Sequence, residues 1–319
     1  MGSFMKINKN IEILNQECQL LSNTQYTTCH LCNRNCNINR SVGKKGYCGV
    51  NSTLKLARAA LHMWEEPCIT GVNGSGTVFF SGCPLRCVFC QNYSIAHAST
   101  GKEITSNRLA EIFLELQEKG AHNINLVSPT QYVPQIISAI TSAKNQGLTL
   151  PIVYNTGSYE QVETIKMLKG YIDIYLPDLK YFDSALSLRY SNATDYFKVA
   201  STAIKEMFLQ VGEPVFDNDL MKKGMIVRHL VLPGHITDSK LIIKYLYETY
   251  GDSIYLSIMN QYTPLDSVKN FPEINRKLTE EEYEEVIDYA IELGIENGFI
   301  QEGDTANESF IPEFDSEGV

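Results

Sequence analysis

The sequence predicts an α/β fold of six βα units, preceded by a small cysteine-rich metal module. From residue 75 onward, short β-branched or aromatic runs alternate with longer stretches of helical periodicity. Seven of the nine cysteines fall in two tight groups, both before residue 91. The chain has 319 residues, 44% of them hydrophobic, enough for a sizeable core and unlike a mainly disordered protein.

Taken in order, residues 1–24 read as a short helix or irregular arm, in which residues 1–4, ahead of the second methionine Met5, resemble a cloning remnant. Residues 25–52 are rich in Asn, Arg, Gly and Cys and poor in aliphatics, so they need a metal to order them. A connector over 53–74, which carries the only tryptophan, Trp64, completes a 25–74 unit. The core then runs over 75–302. Residues 77–81 form its first strand, and the helix 107–119 follows with Leu109, Ile112, Phe113 and Leu116 on one face. Next come strand 123–127, helix 131–145, strand 151–154 and helix 159–168. Strand 171–176 leads into a helical stretch across about 184–211. Strand 224–232, helix 238–250, strand 254–259, helix 279–293 and a short strand at 298–301 end the core. The acidic run 280–285 suits the positive end of the helix it opens. Residues 303–319 form a tail that Phe310, Ile311 and Phe314 should pack onto the body, with acids that could line the site's mouth.

Repeated βα units imply parallel strands with right-handed crossovers. An open doubly wound sheet and an incomplete barrel both satisfy this pattern. In either, ligands bind at the C-terminal ends of the strands.

The formal charge is −10, from 27 basic and 37 acidic residues, which speaks against duplex nucleic acid or an anionic membrane as partner. No apolar run reaches membrane-spanning length, and residues 1–14 lack the apolar stretch of a secretory signal. A reducing cytoplasm is the expected compartment, and clustered cysteines there point to metal rather than disulfides.

Cys83, Cys87 and Cys90 directly follow the first core strand, in Ser81-Gly82-Cys83-Pro84-Leu85-Arg86-Cys87-Val88-Phe89-Cys90. Three thiolates in eight residues can hold three irons of a [4Fe–4S] cluster and leave the fourth iron open. A zinc site completed by a distant His, or a purely redox cluster with a remote ligand, are the competing readings. Gly82 permits a sharp exit from the strand, Pro84 stiffens the turn, and Phe89 can shield a cluster face. Cys29, Cys32, Cys36 and Cys48 supply four thiolates, which close a tetrahedral zinc site or saturate an auxiliary iron–sulfur centre. Cys18 and Cys68 read as ordinary buried thiols.

The three-cysteine loop resembles the signature of the radical S-adenosylmethionine (SAM) superfamily. The wider pattern, over about residues 25–315, is similar to its pyruvate formate-lyase activating enzyme branch with an N-terminal cysteine module. The resemblance implies a partial (βα)6 TIM-like barrel of the radical SAM type. It further implies a [4Fe–4S] cluster at Cys83, Cys87 and Cys90 whose open iron is chelated by SAM. Reductive cleavage of SAM would yield a 5′-deoxyadenosyl radical that abstracts a hydrogen atom, leading to a protein or peptide substrate and a flavodoxin or ferredoxin as electron donor. Modification of a small molecule, or a non-catalytic electron-transfer or scaffold role, are the alternatives.

Cofactor contacts are carried over by position. Asp178 and Lys180, in Leu176-Pro177-Asp178-Leu179-Lys180, are similar to the family's Asp-x-Lys motif, and alternation puts both on one side of an extended segment. Arg228, flanked by aliphatics, would pair with SAM's carboxylate, while His229 and His235 read as packing or loop residues. Asn155, with Thr156 beside it, sits in a reordered Thr-Asn-Gly turn. Asn260 stands where relatives place a SAM-contacting His. Where relatives carry Gly-Gly-Glu, this chain reads Ser128-Pro129-Thr130, so Ser128 and Thr130 offer hydroxyls but no carboxylate.

Overall fold

The computed structural model describes residues 25–301 and 312–319. Ten strands form one sheet: β1 Leu54–His62, β2 Ser75–Phe80, β3 Lys102–Ile104, β4 Ile124–Val127, β5 Ile152–Thr156, β6 Ile174–Pro177, β7 Val215–Asp217, β8 Leu220–Leu230, β9 Tyr255–Met259 and β10 Gly298–Ile300. Their order is β10-β9-β8-β6-β5-β4-β2-β1-β3, with β7 paired to β8. From β2 to β10 every neighbouring pair on this path is parallel. β2, β4, β5 and β6 are buried at every residue, as expected for strands covered on both faces. The result is the open, curved α/β sheet of a partial barrel.

Helices follow the strands as the periodicity predicts. Ser106–Glu118 buries Leu109, Ile112, Phe113 and Leu116, and the Thr105 side chain caps it by accepting from the Arg108 amide. Glu280–Leu293 opens with a capping box between Thr279 and Glu282.

Three expectations need correction. The connector over 53–74 contains β1, which runs antiparallel to β2 and, with β3, extends the sheet beyond the parallel strands. Its Ala-rich sequence hid it, because alanine is depleted in strands. The helical stretch across 184–211 is two helices, Ser184–Ser191 and Tyr196–Val211. Asn192 ends the first in a left-handed conformation (φ 49°), the asparagine version of a helix stop. The 3-10 turn Thr130–Tyr132 precedes the helix Val133–Asn145, which therefore begins later than expected.

Inside the sheet, Cys68 and Ile69 of the helix Pro67–Thr70 pack with Val153, Ile174, Leu176, Met221 and Ile226. This plug lies toward the N-terminal ends of the parallel strands and makes Cys68 an ordinary buried thiol. Residues 312–319 pack along β1: the Ser316 amide bonds to the Ala57 carbonyl, and the Ala59 amide to the Glu317 carbonyl. Phe314 meets Phe79 edge-on, 5.4 Å between ring centroids. The expectations for Cys18, Phe310, Ile311 and the acids of 302–311 lie outside the described residues. Among the described residues, no helix is long and apolar enough to cross a membrane.

Candidate active site

The loop after β2 is held from several sides. Gly82 has φ 91°, and a Cβ there would stand 2.8 Å from the Cys48 carbonyl oxygen, so only glycine fits. Gln131, overlooked in the sequence, places its amide nitrogen 3.1, 2.9 and 2.8 Å from the carbonyls of Ser81, Gly82 and Ser128. Arg34, from the N-terminal segment, donates to the carbonyls of Pro84 and Ser191, both at 2.7 Å, and to that of Asn192. Ser191 Oγ donates to Cys87 Sγ at 3.0 Å. Phe89 packs against Tyr181, Tyr190 and Tyr262, with centroids about 6 Å apart.

Cys83, Cys87 and Cys90 line one cavity of about 450 Å³, together with Ser128, Asn155, Asp178, Lys180 and Arg228. Burial, then the neighbouring Cys87, pushes the Cys83 thiol up to about 11, and the same two causes raise Cys90. Lys180 acts in the opposite direction on both. Asp178 accepts from Lys180 Nζ at 2.6 Å and from Arg228 Nε at 2.9 Å. Burial alone would raise Asp178, but the two cations outweigh it and hold the carboxyl below its usual range. The Tyr196 hydroxyl fixes this turn by donating toward the carbonyls of Asp178 (2.9 Å) and Gly157 (3.1 Å) and accepting from the Lys180 amide (3.0 Å).

Arg228 is held by protein side chains. Besides Asp178, it donates from Nη1 to Glu65 at 3.2 Å and from Nη2 to Asn155 at 2.6 Å. Its three acceptors are side chains of this chain. Glu65 and Glu66 also line the cavity and were missed in the sequence, where they sit in an apparent connector. Burial raises both carboxyls, with Arg228 opposing it.

Thr130 and Asn260 do not line the cavity. The Thr130 hydroxyl turns to the buried Glu160, which Thr156 also bonds. The Asn260 amide groups face Gln301. His229 and His235 are packing residues: His229 is buried against the Leu179 carbonyl and Ser239, and His235 bonds the Tyr190 hydroxyl.

In the N-terminal segment, Arg40 is fully buried between Tyr26 and Tyr132 and approaches Cys29 Sγ at 3.8 Å. Two of the four sulfurs there accept from N–H donors, Cys29 from the Arg40 guanidinium and Cys36 from the backbone amide of Tyr47. A Cβ on Gly46 would sit 3.3 Å from Cys36 Sγ and 3.6 Å from Cys48 Sγ, so those two sulfurs are neighbours. Among the described residues no three His, Cys, Asp or Glu side chains are closed up into a metal-holding cluster. The three thiols after β2 line one cavity, and soft sulfur donors with N–H and O–H partners fit thiolate–metal chemistry.

The radical SAM superfamily model matches residues 77–234. The chain is 30% identical over 274 residues to an uncharacterized protein of Methanocaldococcus jannaschii, covering 83% of this chain and 75% of that one. It is 28% identical over 186 residues to the pyruvate formate-lyase-activating enzyme of Clostridium pasteurianum, covering 55% of this chain and 70% of that one. Among solved structures, Streptococcus suis SuiB bound to S-adenosylmethionine superposes with a TM-score of 0.48 at 16% identity, over 69% of this chain. The chain spans about half of that protein, 48% of its length. The chain belongs to the radical SAM superfamily, whose members are enzymes, and it is similar to the activating enzymes within it. Membership implies a [4Fe–4S] cluster and SAM as cofactors.

Proposed function

We propose that this enzyme abstracts a hydrogen atom from a peptide or protein substrate, with Cys83, Cys87 and Cys90 holding the [4Fe–4S] cluster. When bound, the cluster and SAM would supply reductive cleavage of the sulfonium and a hydrogen-abstracting radical. The single observation that carries the reading is the convergence of the three thiols, Lys180, Asp178 and Asn155 on one cavity. Lys180 offsets thiolate charge beside the loop, and Asp178 and Asn155 present oxygens toward SAM's polar groups. Ser128 lines the cavity at the end of β4 and would offer its hydroxyl to the cofactor.

A protein substrate is favoured by the cavity's border. Met63 and Trp64 line it while 45% and 62% exposed. Exposed Met and Trp at a rim suit a protein surface better than a closed small-molecule site. Cys29, Cys32, Cys36 and Cys48 hold a second centre, zinc or iron–sulfur, that braces the cluster loop through Arg34. A flavodoxin or ferredoxin supplies the electron, and the compartment is a reducing cytoplasm.

The test uses anaerobically reconstituted protein. Iron, sulfide and zinc are counted, and 5′-deoxyadenosine is assayed after reduction with SAM. Product that disappears in Cys87→Ala supports the reading. An intact cluster with no product and no SAM-induced change in its EPR spectrum overturns it.

A further inference from the structure

We propose that Glu66, with Glu65 beside it, forms a cation-recognition subsite at the end of the cavity away from the thiols, which takes a primary ammonium or guanidinium group of the substrate. This rests on the reading of the cavity as the place where substrate meets the cofactor.

The charges facing the cavity are unbalanced. Glu65, Glu66 and Asp178 face Lys180 and Arg228 there. Lys180 is answered by Asp178, and Arg228 by Asp178, Glu65 and Asn155. Asn125 bonds the other Glu65 oxygen at 3.0 Å. Glu66 is left over. It is only 8% exposed, and its Oε2 has no hydrogen-bond partner. A buried carboxylate oxygen without a donor is costly, and a charged N–H donor relieves that cost best.

Position identifies what would bring the donor. Glu66 enters from the connector after β1, whose end His62 pairs with Ser75 at the start of β2. The thiols follow the other end of β2. A group on Glu66 therefore lies across the cavity from whatever binds at the thiols. Nearer the thiols the lining includes Phe79, Val127, Leu230 and Met259, at the C-terminal ends of β2, β4, β8 and β9. An aliphatic stem can run along these apolar side chains and carry its cationic head to the acid, as lysine and arginine side chains do.

The experiment titrates the reconstituted, SAM-bound enzyme calorimetrically with N-acetyl-lysinamide, N-acetyl-argininamide and the neutral N-acetyl-norleucinamide. A cationic probe should bind at least ten-fold more tightly than norleucine, and Glu66→Gln should bring that ratio to within about three-fold. Equal binding by the wild type, or a preference that survives in Glu66→Gln, overturns the subsite. A fall in SAM affinity in Glu66→Gln with the probe preference intact also overturns it, by assigning the acid to the cofactor. Should the variant fail to fold, the wild-type comparison with norleucine still decides. Assaying 5′-deoxyadenosine on the same samples separates the two proposals. Probe preference without SAM cleavage keeps the subsite and sinks the proposed function, whereas cleavage without preference does the reverse.

Discussion

Arg34 of the four-cysteine segment donates to the Pro84 carbonyl inside the three-cysteine loop at 2.7 Å. Two residues before it, Cys32 bridges to Glu160 just beyond β5. The segment is therefore tied to the loop proposed to hold the cluster, and disturbing one should be felt by the other.

Arg34→Ala should remove the charge-assisted bonds to Pro84 and Ser191. Because these bonds are only partly buried, the expected loss is about 2 kcal/mol. Urea unfolding reads this loss, and iron bound at equal protein concentration should fall with it. Unchanged iron retention would show that the loop stands without the segment.

Gly82→Ala tests the same contact from the loop side. The added Cβ meets the Cys48 carbonyl at 2.8 Å in a backbone region that L-residues avoid. A loss of about 2 kcal/mol or more is expected. Iron content after reconstitution should drop more than in a matched Ala substitution at an exposed site.

Arg228→Gln should leave Glu65 buried without its cation and Asp178 with Lys180 alone, since the side chains are 8% and 15% exposed. Removing one partner of such a pair costs about 3–5 kcal/mol. Arg228→Lys should not restore stability, because one ammonium cannot reach acceptors on three elements at once. Thermal melts of the two variants check this, and full rescue by lysine would mean that charge alone matters.

His229 gives a pH signature away from the cavity. Its Nδ1 lies 2.8 Å from the Leu179 carbonyl, which can only accept, so Nδ1 carries the proton and Nε2 accepts from Ser239 at 2.9 Å. Burial, aided by Lys180 and opposed by the Leu179 bond, pushes the imidazole down to about 4. Between the ordinary histidine value of about 6.5 and this one, the unfolded chain binds a proton that the folded chain does not. Stability should thus fall as pH drops through that window, by about 3 kcal/mol from this residue. Denaturant unfolding at several pH values should show a shallower slope in His229→Gln, and an unchanged slope would assign the loss to other groups.

Much of the scaffold is legible locally. The parallel strands are continuous apolar runs, and their helices carry a periodic apolar face, so each element reads from a window of residues. β3 is three residues long and β1 is rich in alanine, so neither carries that signal. Antiparallel partners also need no intervening helix, which removed them from the βα rhythm. Asn192 was the available mark for the break between the two helices after β6.

The sequence by itself determined the superfamily's cysteine loop, the four-thiol set and the alternation of strand and helix, because spacing and periodicity are properties of neighbouring residues. Only the tertiary structure decided what those residues meet. Arg228, expected to face a cofactor carboxylate, is held by Asp178, Glu65 and Asn155 from three separate elements. Thr130 turns to Glu160, and Glu66 emerges from an unremarked connector into the cavity. Such pairings depend on sheet curvature and on which distant segment plugs the barrel, and a linear pattern carries no information about either.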